Sequence, residues 1–155
     1  MRRAVVINAK RVSNCNPPMR THNLIFRQCG NQRLPHSWIH PEPSRDTRNN
    51  VNAQHSLIRN LWYDNCDKNF MYFSLFPHNF PGLRSVYLNS HPGEPNVLRR
   101  FYDHQDITIY LTEHHRTYKR RWADDMGNVR IIPYDGYLRK LNRCLHDADI
   151  DSIQL

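Results

Sequence analysis

The sequence predicts an α+β fold, a small mixed and mostly antiparallel sheet of four or five strands with two helices, preceded by an extended basic N-terminal arm. Three observations lead there. Asp106 to Thr112 alternates Ile107, Ile109 and Leu111 with Asp106, Thr108 and Tyr110, the period-2 pattern of a strand with one core face. Val51, His55, Ile58, Leu61 and Trp62 are spaced so that they share one face of a helix over residues 46–64. Residues 1–41 carry seven Lys/Arg and no acid, whereas the other 114 residues carry fifteen bases against fourteen acids.

Residues 4–12 and His22 to Arg27 read as two short strands, separated by a break around Pro17 and Pro18. From Gly30 to Ser44 one Gly, three Pro and two His mark an irregular connection, the expected boundary between arm and core. Ser44 or Asp46 is the expected N-cap of the helix that follows. The dense apolar run Phe70 to Phe76 reads as a strand, then a proline-bounded turn from Pro77 to Gly82, then a strand from Arg84 to Leu88. Residues 116–122 and 128–132 suggest the arms of a hairpin, because Gly127 can supply the positive φ that such a turn needs.

Asp135 can cap a last helix running to about His146, with Leu138, Leu141 and Leu145 toward the core. Arg139, Lys140, Arg143 and His146 lie toward its negative end, where the macrodipole favours cations. Three segments are therefore expected: a basic irregular arm over 1–43, a globular domain over 44–146 and an acidic tail over 147–155. No internal repeat is visible.

The formal charge of +8 comes mainly from the leader. Of the 22 basic residues 18 are Arg, whose planar fork suits bidentate phosphate contacts and ring stacking better than Lys does. A polyanionic partner is the direct inference. The expected nucleic-acid contacts in the leader are Arg2, Arg3, Lys10, Arg11, Arg20, Arg27 and Arg33. A second set is Arg116, Tyr118, Lys119, Arg120, Arg121 and Trp122, where a strand would place Tyr118, Arg120 and Trp122 on one face, able to stack on unpaired bases. The same rings could instead serve as core residues.

Cys15, Cys29, His36 and His40 are the best zinc candidates, but thirteen residues between the two cysteines are too many for a zinc knuckle. Asp103, Asp106 and Glu113 do not converge, since Asp106 and Glu113 bracket a strand at opposite ends, roughly 20 Å apart if extended. Signatures of nucleophile elbows, P-loops and dinucleotide-binding loops are absent. No cofactor and no small-molecule substrate are inferred.

The chain is thus expected to be a non-catalytic structural subunit of a large nucleoprotein assembly, such as a ribosome-type particle or a viral capsid. Its partners would be nucleic acid, RNA favoured, and neighbouring subunits. No apolar run reaches the ~20 residues of a membrane span and no secretory signal follows the basic start, so an intracellular, non-secreted protein is expected. Two alternatives are a module that binds a protein partner through exposed aromatics and a metal-dependent nucleic-acid hydrolase.

Overall fold

A computed structural model of the chain describes residues 4–15, 21–35, 38, 55–89, 96–112 and 125–146. Six strands form one sheet among them: β1 (Ala4–Asn8), β2 (Asn23–Arg27), β3 (Asn60–Asp64), β4 (Ser85–Asn89), β5 (Thr108–Thr112) and β6 (Val129–Ile132). Their order in space is their order in the chain, and every neighbouring pair is parallel. This overturns the expected antiparallel sheet of four or five strands. The helices among the described residues are α1 (Lys68–Ser74), α2 (Asn96–Arg99) and α3 (Tyr134–His146), with a 3-10 turn at Pro77–Asn79.

The reason for the parallel layout lies in which faces are buried. Val5, Leu24, Leu61, Val86, Ile109 and Val129 stand at one register level, and Ile7, Phe26, Tyr63, Leu88 and Leu111 at the level two residues on. Both levels point into one core, together with Val12, Leu34, Trp38, Ile58, Phe70, Met71, Phe80, Leu83, Val97, Phe101 and Met126 from the connections. The intervening residues Val6, Ile25, Trp62 and Tyr87 point the other way, into a second cluster closed by Tyr137 and Leu141 of α3. Among the described residues the buried apolar side chains of the connections therefore lie on one face of the sheet, and α3 covers the other.

A parallel sheet in chain order, with the described parts of its connections on one face, has the layout of a solenoid. It resembles a leucine-rich-repeat unit, in which each strand is followed by a helix or 3-10 turn. The unit can be seen in Ile58-x-x-Leu61-x-Tyr63-x-x-Cys66 and Thr21-x-x-Leu24-x-Phe26-x-x-Cys29. In both, the residue after the strand, Gln28 or Asn65, turns with positive φ, and the cysteine that follows is buried. The Cys29 Sγ donates to the carbonyl of Ile7, and the Cys66 Sγ to that of Phe26. The repeat that the sequence hid is thus present in the structure.

Several local readings change with it. Residues 60–64 of the expected helix are strand β3, and neighbours Leu61 and Trp62 face opposite cores. The expected strand over Phe70 to Phe76 is largely helix α1, started by Asp67, whose side chain accepts from the Asn69 N–H at 2.8 Å. One face of this helix, Phe70, Met71 and Ser74, is buried, while Tyr72 is exposed. Of the expected hairpin, 116–122 lies outside the described residues, and β6 pairs in parallel with β5.

The described part of the basic leader is not extended: β1 and β2 are the first two strands of the sheet. Residues 39–54, which contain the expected boundary, and the tail 147–155 lie outside the described residues. No helix among the described residues is long and apolar enough to cross a membrane.

Candidate functional site

Parallel pairing brings the starts of β2, β3 and β4 side by side. The N–H groups of Arg59 and Asn60 both donate to the His22 carbonyl, at 2.9 and 3.0 Å. Those of Arg84 and Ser85 donate to the Arg59 carbonyl, at 2.8 and 3.1 Å. His22, Arg59 and Arg84, each one residue before a strand, are therefore successive rungs, about 4.8 Å apart.

Helix α3 returns across the sheet against the strand direction. Its first turns meet the end of β3, where the Tyr137 hydroxyl donates to Asp64 Oδ1 at 2.7 Å. Its last turns, from Arg139 to His146, lie over the starts of β2 to β4. Tyr137, Leu138, Leu141 and Leu145 pack on the sheet, which leaves Arg139, Lys140 and Arg143 exposed.

Between the two walls lies a groove of about 1070 Å³. The strand side contributes His22, Asn23, Arg59, Asn60, Trp62, Arg84, Ser85 and Tyr87, and the helix side Arg139, Lys140, Asn142, Arg143, Cys144 and His146. Among the described lining residues five carry fixed positive charge, two are histidines and none is a carboxylate. Among the described residues no carboxylate pairs with any of the five, since the ion pair formed there joins Arg27 to Asp64. Such unneutralised cations raise the local potential and draw anions in.

The floor is rigid. Asn23 Oδ1 accepts from Asn60 Nδ2 at 2.9 Å and from Trp62 Nε1 at 3.4 Å. Trp62 stacks on Tyr87 with centroids 3.8 Å apart, and Tyr87 on Tyr110 at 4.7 Å. Lys140 Nζ sits 5.2 Å from the Tyr110 ring centre and 5.7 Å from that of Tyr87. Burial pushes the Tyr87 hydroxyl up to about 12, with the neighbouring Tyr110 adding to it, so it stays neutral at physiological pH. Arg59 is braced rather than free: its Nη1 donates to the carbonyls of Ser56 at 2.7 Å and Gly82 at 3.2 Å.

Of the site residues expected from the sequence, those described, Lys10, Arg11, Cys15, Arg27, Cys29 and Arg33, do not line this groove. Lys10 and Arg11 are exposed in the turn after β1, at the opposite end of the strands. Arg27 Nε lies 3.3 Å from Asp64 Oδ2, and the Arg33 guanidinium stacks on the Phe73 ring at 4.0 Å. Arg2, Arg3, Arg20, Arg116, Tyr118, Lys119, Arg120, Arg121 and Trp122 lie outside the described residues.

Of the zinc candidates, Cys15 and Cys29 are described, and each thiol donates to a backbone carbonyl. His36 and His40 lie outside. Among the described residues no three His, Cys, Asp or Glu side chains are grouped to hold a metal ion.

A family of unknown function (DUF5845) matches residues 43–123, which include β3, α1, β4 and β5. The chain belongs to this family. Two curated relatives are uncharacterized proteins of Acanthamoeba polyphaga mimivirus. R849 is 43% identical over 83 residues, 54% of this chain and 56% of that protein. L163 is 36% identical over 85 residues, 55% of this chain and 60% of that protein. The match thus spans little more than half of each relative, and both relatives are viral proteins. No solved structure matches the chain. The strand wall of the groove from Arg59 to Tyr87 lies within the family segment, and the helix wall lies outside it.

Proposed function

We propose that this chain is a non-catalytic binding subunit of a nucleoprotein assembly that grips nucleic-acid phosphates in the groove between the strand starts and α3. The observation that carries the reading is the five cations on facing walls with no carboxylate among the described lining residues. The sequence suggested the same ligand class from its charge, but from other residues.

Phosphate contacts fix a nucleic acid in place with little regard to its sequence and release counterions, so affinity falls steeply with salt. If all five cations meet phosphates of a single strand, log K falls with a slope of about −3.5 against log salt, from about −0.7 per contact. Raising salt from 50 to 200 mM should then weaken binding of a labelled 20-nucleotide RNA about 100-fold, read by fluorescence anisotropy. Undetectable binding at 50 mM salt would sink the reading and favour a protein partner.

A further inference from the structure

We infer that the groove accepts one strand of nucleic acid, not a duplex, and holds it by its phosphates without reading its bases. This rests on the nucleic-acid reading above and narrows its ligand. The first observation is size and sidedness. The groove holds about 1070 Å³ and is lined with cations on both of its walls. A B-form duplex, whose major groove alone is about 12 Å wide, presents its two phosphate chains farther apart than a single strand does its one. Arg59 and Arg84 on one wall and Arg139 and Arg143 on the other can flank a single phosphate chain from both sides.

The second observation concerns the rings. Base recognition by single-strand binders commonly uses an open aromatic face on which each base stacks. Here the faces are occupied: Trp62 and Tyr87 stack on each other with planes 8° apart, and Tyr87 and Tyr110 with planes 12° apart. Trp62 is only 2% exposed, and its indole N–H is bonded to Asn23. The Asn23 amide oxygen, a natural reader of base edges, already accepts two hydrogen bonds. Beside the polar His22, Ser85, Asn142 and His146, what dominates the groove is charge, and charge matches the backbone.

The test uses the full-length chain and four labelled probes: 12-nucleotide strands of dT, of dA and of abasic sugar-phosphate, and a 12-base-pair duplex. The three single strands should bind within about threefold of one another, and the duplex at least tenfold more weakly. Exchanging Arg84→Gln together with Arg143→Gln, both exposed side chains, should weaken the three strands at least tenfold and leave weak duplex binding unchanged. A duplex that binds as tightly as dT overturns single-strand selection while leaving the nucleic-acid reading in place. An abasic strand that binds more than tenfold worse than dT overturns the phosphate-only reading. Failure of every probe to bind overturns the underlying function itself.

Discussion

The Tyr137 hydroxyl donates to Asp64 Oδ1 at 2.7 Å, a buried hydrogen bond that joins the start of α3 to the end of β3. The same carboxylate accepts from Asn89 Nδ2 at 2.9 Å and pairs with Arg27 Nε at 3.3 Å. Three strands and the helix are thus tied through one acid, and the tie fixes where the helix wall of the groove stands. Tyr137→Phe keeps the ring but removes the donor. A hydrogen bond to a charged group contributes about 1.5–3 kcal/mol, so urea unfolding should shift by that amount with an unchanged slope. A loss below about 0.5 kcal/mol would mean that the bond is not formed in solution.

Gly82 sits where any side chain would collide with the Arg59 guanidinium and the Ser56 carbonyl. Backbone cannot yield cheaply, so Gly82→Ala should either destabilise the fold by about 1–3 kcal/mol or drive Arg59 from its brace. Thermal unfolding together with nucleic-acid affinity separates the two. Wild-type values for both would show that the approach is looser than described.

Asn128 Nδ2 lies within 3.0–3.2 Å of three carbonyls, those of Phe101, His104 and Ile107, and so closes the turns that lead into β5. Asn128→Ala leaves buried acceptors without this donor and should cost about 2–3 kcal/mol in chemical unfolding. An unchanged midpoint would show that the turns hold themselves.

Stability should fall at both ends of the pH range for separate reasons. Burial lowers the His55 imidazole from its ordinary 6.5 to about 4. Its contribution is complete above pH 6.5 and declines as pH falls toward 4, because the unfolded chain takes up the proton first. At the other end burial raises the Tyr63 and Tyr137 hydroxyls above 10 and the Cys15 thiol from 9.0 to about 12. Their contributions are complete below the unfolded values and are lost as pH climbs past 9 and then 10. Urea midpoints from pH 4 to 11 should trace a dome, and His55→Phe should flatten its acid side. An acid limb that His55→Phe leaves unchanged would assign it to other groups.

How far the sequence could be read depended on whether an element carried its own signal. Strand β5 showed alternation, and α3 had leucines at helical spacing, so both were found. Strand β3 is buried on both faces, as central parallel strands are, and Leu61 beside Trp62 then mimics one helix stripe. The repeat was hidden because register-equivalent residues are 19 to 37 positions apart, from Val5 to Leu24 and from Leu24 to Leu61. The groove was hidden for a similar reason. Its cations come from segments far apart in the chain, and only the parallel register makes neighbours of Arg59 and Arg84. The available signal was a cation directly before each of two strands, which has meaning only once those strands are known to be adjacent.

Deleting residues 1–41 cannot locate the binding site, because it removes β1 and β2 along with the charge. The direct measurement is the salt dependence of single-stranded RNA affinity for wild type, for Arg84→Glu/Arg139→Glu/Arg143→Glu, and for Lys10→Glu/Arg11→Glu at the other end of the strands. The groove variant should lose about two units of slope, three contacts at about 0.7 each, while the Lys10 and Arg11 variant keeps the wild-type slope. A groove variant with the wild-type slope, beside a flattened one for Lys10 and Arg11, would place the grip elsewhere.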